Sequence, residues 1–338
     1  MKKFLSAIIL TVLIVSALCI SAFATNDFVG ENEFVIASFN GINTYVKDNN
    51  KFENFEVSAY WLADSKDAYN LKYVSFLGQI ANNCQHTYAT VITAQKQSAA
   101  TLIQLSLDDP EWQKQYNKVA SVVSEFKNVG LPIGFSIDRE DYVSGGYSRD
   151  NLAASILGLE TIMPEDANYD YLDDNNYCTY VSSNNGVKYM IFQLEMYPKT
   201  ATLEWFKQTV EANPDKYAIV CTTSFIDGSG AMYTMWDWND GFTFTGTTSL
   251  KSMNITWTDQ PRDGEALWDY ALKDCDRLLA IICGNAGNGE IVSTKLKGTN
   301  GNEVAVFGAN ADAGLNASGS PVLMTKISAD NTEITCAW

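Results

Sequence analysis

The chain is 338 residues long and sets 40 Asp and Glu against 23 Lys and Arg, a formal net charge of −17, with a single histidine. That balance excludes a nucleic-acid or anionic-lipid binder, because holding a phosphate backbone takes clustered Lys and Arg that displace counterions. One imidazole also excludes any site assembled from several histidines.

At the amino terminus Lys2 and Lys3 precede an apolar run from Phe4 to Ile20, followed by Ala22-Phe23-Ala24. This pattern predicts a secretory signal peptide over 1–24. An uncleaved anchor is the second reading of the same run, since a spanning helix needs about 20 apolar residues. Cys19 follows Leu18, where lipid attachment asks for a small residue, so the expected product is soluble and exported. Lys2 and Lys3 leave with the signal and no acid does, which takes the net charge from −17 to −19. The expected partners are an extracellular glycan or protein, with no nucleic acid and no membrane beyond the signal peptide.

Over 25–338 no Pro- or Ser-rich linker, low-complexity run or internal repeat interrupts the chain, which predicts a single domain. Cys84, Cys178, Cys221, Cys275, Cys283 and Cys336 remain after export. An oxidising compartment permits disulfides among them, and spacing alone selects no pairing. Cys221 and Cys283 lie inside apolar runs, where an inert buried thiol is expected.

Apolar β-type runs alternate with helical patterns, the order of an α/β layered fold. Strands are predicted at Phe34 to Ser38, Tyr73 to Leu77, Pro132 to Ile137, Tyr189 to Leu194, Tyr217 to Thr222 and Leu279 to Cys283. A helix capped by Asp109 and opened by Pro110 puts Trp112, Tyr116, Val119, Val123 and Phe126 on one face and stops near Gly130. A second carries Leu203, Phe206 and Val210 and ends before Pro214. A third starts near Gly264 with Leu267, Tyr270, Ala271 and Cys275 facing inward.

Several smaller signals carry chemistry. Asp138, Glu140 and Asp141 cluster after a predicted strand; two carboxylates at a suitable distance run glycosidase-type chemistry, while solvated charge on an acidic protein is the plainer account. Asp166-Ala167-Asn168-Tyr169-Asp170 opens like a calcium loop, but Tyr171 and Tyr177 stand where the glycine and the bidentate acid belong, so no EF-hand is read there. Trp236 and Trp238, interleaved with Asp237 and Asn239, suit stacking on a sugar ring or a partner chain, with buried packing as the alternative. His86 is read as a surface or core residue rather than a ligand.

The framework resembles the calcineurin-like metallophosphoesterase family over about Glu33 to Ile327. The resemblance is carried by Leu194-Glu195-Met196-Tyr197-Pro198, Leu203-Glu204-Trp205-Phe206 and Pro214-Asp215-Lys216-Tyr217-Ala218-Ile219-Val220. It continues through Asp263-Gly264-Glu265-Ala266-Leu267-Trp268, Ile281-Ile282-Cys283-Gly284 and Gly301-Asn302-Glu303-Val304-Ala305-Val306. It implies an α/β sandwich of two mixed sheets flanked by helices. It also implies a cleft in which Asp, Asn and His hold two metal ions that activate water against a phosphoester.

This sequence departs from that pattern at every motif. Phe39-Asn40-Gly41 stands where Asp-x-His belongs, and Gly78-Gln79-Ile80-Ala81-Asn82 replaces the bridging carboxylate by an amide. Asp138-Arg139-Glu140-Asp141 puts a guanidinium where an amide ligand belongs, and Thr223 replaces a histidine. Gly284-Asn285-Ala286-Gly287 replaces Gly-His-x-His. Fixed Arg139 cannot deprotonate to become a ligand. The vestigial positions are therefore Phe39, Gly41, Gln79, Asn82, Arg139, Glu140, Thr223, Asn285 and Gly287, with neither metal ion expected. The expectation is an inactive binding or surface-interaction module. The alternative is a secreted hydrolase, phosphoesterase-like or carboxylate-based, built around Asp138, Glu140 and Asp141. Convergence of two or three carboxylates in the cleft would favour the enzyme; a cleft filled by Phe39 and Arg139 would favour binding.

Overall fold

The computed structural model describes residues 28–81, 110–138, 141–142, 157–234, 236–237, 243–244, 262–287, 289–310 and 322–338. In chain order the elements begin with β1 (Phe34–Phe39), α1 (Ile42–Lys47), α2 (Asn49–Asp64), β2 (Leu71–Leu77), α3 (Pro110–Asn128), β3 (Ile133–Ser136) and α4 (Leu159–Ile162). There follow β4 (Asn168–Asp173), β5 (Asn176–Ser182), β6 (Lys188–Gln193), α5 (Thr200–Ala212), β7 (Tyr217–Thr222), the short β8 (Trp236–Asp237) and β9 (Thr243–Phe244), and α6 (Gly264–Tyr270). The chain closes with β10 (Leu278–Cys283), β11 (Val292–Lys297), β12 (Glu303–Gly308), β13 (Val322–Ile327) and β14 (Ile334–Ala337).

The strands form a five-stranded sheet ordered β14-β13-β1-β2-β3, a seven-stranded sheet ordered β11-β12-β10-β7-β6-β5-β4, and the small β8-β9 pair. Both large sheets are mixed. β1, β2 and β3 run parallel, as do β6, β7, β10 and β12, while antiparallel hairpin strands complete the edges. Parallel strands covered on both faces read as continuous apolar runs, which is why Phe34–Phe39 and Leu278–Cys283 are buried throughout.

Period-two alternation sorts those runs into layers. Phe34 and Ile36 of β1 meet Tyr189 and Ile191 of β6 and Ile219 and Cys221 of β7 between the sheets. Val35, Ala37 and Phe39 face outward onto α2 and α3. On the far face of the larger sheet, Met190, Phe192, Ala218 and Val220 pack on Leu203 and Phe206 of α5 and Leu267 of α6. The result is the expected α/β architecture of two mixed sheets flanked by helices.

The first predicted helix forms at Pro110–Asn128, with Glu111 in its first turn and Lys127 in its last, both favourable to the helix dipole. Asp109, its predicted cap, lies outside the described residues. Tyr116, Val119, Val123 and Phe126 are buried as expected. Leu267 of α6 and Ala271 just after it are buried, but Tyr270 lies half-buried at the surface. Its hydroxyl donates to Glu204, and the Lys207 ammonium sits 4.1 Å from its ring centroid. The calcium-like stretch is the start of edge strand β4. The five described cysteines are free, and burial pushes the Cys221 thiol up to about 12 and the Cys283 thiol up to about 11. Cys84 and His86 lie outside the described residues. Among the described residues no helix is long and apolar enough to cross a membrane.

Candidate functional site

The carboxyl ends of β1, β2, β3, β7 and β10 converge, which in α/β folds is where ligands are bound. β2 ends in Gly78 (φ 84°) and Gln79 (φ 54°), both in the left-handed region, so the chain turns sharply as it leaves the sheet. An ideal Cβ on Gly78 would lie 2.6 Å from Thr223 Cγ2 and 2.8 Å from Asp138 Cβ, so the turn is closed against both neighbours. The Gln79 carbonyl accepts from Asn43 N at 2.7 Å, tying this turn to α1.

Asp141 is fully buried and both its carboxyl oxygens are engaged. Oδ1 accepts from Ile80 N (2.8 Å) and Ala81 N (3.2 Å), and Oδ2 accepts from Asp138 N (3.0 Å). Burial, and after it the charge of Asp138, push this carboxyl well above the usual carboxylate range against the pull of the three N–H donors. Asp141 is therefore a clamp between the loops that follow β2 and β3.

Asp138 is 4% exposed, and its Oδ2 accepts from Asn285 Nδ2 at 2.7 Å. Asn285 stands in the left-handed region (φ 53°) just beyond β10. Its side-chain amide also donates to Ser224 Oγ at 3.1 Å, and its backbone carbonyl accepts from Tyr233 OH at 3.1 Å. Burial raises the Tyr233 phenol to about 12 and lifts that of Tyr197, with Asp138 contributing to both. Thr223 is buried between these groups, and its Oγ1 has no hydrogen-bond partner among the described residues.

A further buried carboxyl group, Glu195, anchors its own network. Tyr142 OH (3.0 Å) and Asn175 Nδ2 (3.1 Å) donate to Oε2, and Asn176 Nδ2 (3.0 Å) donates to Oε1. Glu195 N donates in return to Asn176 Oδ1 at 3.1 Å. The network pins the end of β6 to the start of β5 and to the segment that carries Asp141.

No protein-family profile matches the sequence, and no curated protein does either. Solved structures do align with the chain. A dimetal phosphatase from Danio rerio matches with a TM-score of 0.48 at 9% identity, covering 86% of this chain and 92% of that one. GAP50, the anchor in the inner membrane complex of Plasmodium, matches at 0.44 and 11% identity, covering 90% of this chain and 83% of that one. A purple acid phosphatase from yellow lupin (Lupinus luteus) seeds matches at 0.42 and 9% identity, covering 90% of this chain and 53% of that one.

Of the sequence-predicted positions, Asp138, Asp141, Thr223, Asn285 and Gln79 meet at these strand ends. Gly41 (φ 61°) and Gly287 (φ 74°) shape the turns after β1 and β10. Phe39 does not fill the cleft. Alternation along β1 sends its ring into the outer core, 5.2 Å from those of Phe55 and Phe76. Asn40 takes the position at the strand end, and its amide donates to the Ala309 carbonyl. Asn82, Arg139, Glu140 and Trp238 lie outside the described residues, and Trp236 is described only as backbone in β8. Sequence reasoning missed Tyr197, Ser224, Tyr233 and the Glu195 network. The signal available for them was polarity at the ends of apolar strands, as in Leu194-Glu195 and Thr222-Thr223-Ser224.

Proposed function

We propose that this chain is an exported relative of the calcineurin-like metallophosphoesterases that has lost their chemistry and serves as a binding or surface-interaction module. The observation that carries the reading is the 2.7 Å bond from Asn285 to Asp138. It ties Asp138 to an amide at Asn285, where the resemblance asks for an imidazole on metal. Two divalent ions require bridging carboxylates and several imidazoles. Asp138 is instead bonded to Asn285, Asp141 has both oxygens on backbone N–H groups, and Gln79 and Thr223 supply only neutral oxygens. Among the described residues no three His, Cys, Asp or Glu side chains group as metal ligands. These residues do not fit the family's metal pair.

The same geometry weighs against a carboxylate-pair hydrolase. Asp138 and Asp141 do converge, but Asp141 is enclosed with both carboxyl oxygens on backbone N–H groups, which weighs against its exchanging protons with substrate. Export is supported by Lys2-Lys3, the apolar run and Ala22-Phe23-Ala24. The ligand class that follows is an extracellular glycan or protein, with Trp236 and Trp238 as contact aromatics. The reading is tested by assaying residues 25–338 with p-nitrophenyl phosphate and bis-p-nitrophenyl phosphate in the presence of manganese, zinc or iron. It expects no turnover above the metal-only blank, and turnover lost in Asp138→Asn would overturn it.

A further inference from the structure

At the opposite end of the strands the molecule presents cations. Two adjoining open clefts of about 290 Å³ and 530 Å³ share Asn168, Tyr180 and Val181 as a common wall. They lie where β2, β3, β6 and β7 begin, and their size is that of small-ligand sites. Lys66 and Lys72 line the smaller cleft, Lys188 and Lys216 the larger.

These lysines are weakly neutralised. Lys66 Nζ donates to the Val129 carbonyl and Lys72 Nζ to the Asn184 side-chain oxygen (2.9 Å). Lys216 Nζ donates to Asn213 Oδ1 (2.6 Å) and has the exposed Asp215 carboxylate at 3.4 Å. For Lys66, Lys72 and Lys188 no carboxylate lies within ion-pair distance among the described residues. The acids that line the clefts are Asp67, Asp166 and Asp170, and Asp170 already accepts from Tyr180 OH. The two clefts are lined by four lysines and three aspartates, where the chain as a whole has 23 bases against 40 acids. Half-buried Lys72 is also perturbed: burial first, then the neighbouring Lys66 charge, lower its pKa against the opposing charge of Asp67. Keeping like charges together at a desolvated wall is unfavourable unless an anion offsets them. Asn168 adds a neutral amide, and lysine with an amide donor is the chemistry that recognises oxyanions.

We propose that this groove binds a small polyanion, a molecule carrying at least two phosphate, sulfate or carboxylate groups. The site is separate from the Asp138 cluster and does not depend on whether that cluster is catalytic. The test is calorimetric titration of residues 25–338 at low ionic strength with pyrophosphate, sucrose octasulfate and citrate, and with sucrose as the neutral control. At least one anion is expected to bind with one site per chain, and the one that binds identifies the anionic group. The double variant Lys72→Gln/Lys188→Gln should weaken that binding by about tenfold or more, since each charge-assisted contact is worth about a tenfold factor. Lys295→Gln/Lys297→Gln, which removes the same charge from edge strand β11, should change it less than about twofold. Melting curves establish that both variants are folded, and Lys188→Gln alone, at an exposed position, serves if the double variant is not. Absence of binding by all three anions would overturn the proposal, as would equal loss in the two double variants.

Discussion

The two ends of the parallel strands differ in how their polar groups are spent. At the carboxyl ends Asp138, Asp141, Glu195 and Asn285 are buried or half-buried and bonded to one another, to backbone N–H groups and to neighbouring amides. At the amino ends Lys66, Lys72 and Lys188 line open clefts without carboxylate partners among the described residues. A buried polar group whose hydrogen bonds are complete holds the fold together. A charged group beside a cavity with its bonds incomplete is available to a ligand. The carboxyl end therefore has the bonding of a scaffold, while the amino end presents lysines without carboxylate partners among the described residues.

Substitution separates the two ends, and the largest effect is expected from glycine. Gly78→Ala combines left-handed strain with collision against Thr223 and Asp138, a cost of roughly 2 to 6 kcal/mol. Gly186, at φ 83° in the β5–β6 turn near the lysine groove, has nothing within 4 Å of an added Cβ. There alanine meets only the backbone term, about 1–2 kcal/mol. Urea unfolding of both variants measures the difference, and equal losses would remove the contrast between the ends.

Glu195→Ala strands Tyr142 OH and the amides of Asn175 and Asn176 in the interior, at a cost of about 3 kcal/mol. A loss below about 1 kcal/mol by the same assay would mean the network is not structural.

Asp141→Asn puts an amide donor against backbone N–H groups and should cost about 1–3 kcal/mol. Its pH dependence is the sharper readout. Burial disfavours the ionised form, so the contribution of Asp141 is fully present below the unfolded carboxyl value of about 4 and is lost as pH rises toward the folded value. The stability advantage of wild type over Asp141→Asn should therefore be greatest near pH 4 and shrink toward pH 7. An advantage that grows with pH would make Asp141 an ionised anchor instead. Smallest of all, Lys72→Gln should shift stability by less than about 0.5 kcal/mol, since the groove contributes little to the fold.

The buried centre of the fold was legible because parallel strands covered on both faces are apolar without interruption. The strand read from Tyr217 to Thr222 forms over those residues, and its neighbours differ only at their ends. Of the edge strands, buried β3 was legible, but β4, β11 and β14 were not. In β4 and β11 one face or more is solvated, and Asn168–Asp173 reads as loop or calcium site until its partner β5 is known. The helices between Ile42 and Asp64 were missed because a polar junction at Asp48 interrupts their apolar pattern. At the candidate site, strand ends marked Asp138, Thr223 and Asn285. Alternation along β1 would have directed Phe39 away from the cleft. The Glu195 network and the lysine groove join residues far apart in the chain, and no local pattern announces either.

The account turns on whether the Asp138 cluster holds metal. The direct test is elemental mass spectrometry of residues 25–338 after dialysis against trace manganese, iron and zinc. The account predicts no transition metal retained, and near two ions per chain would contradict it.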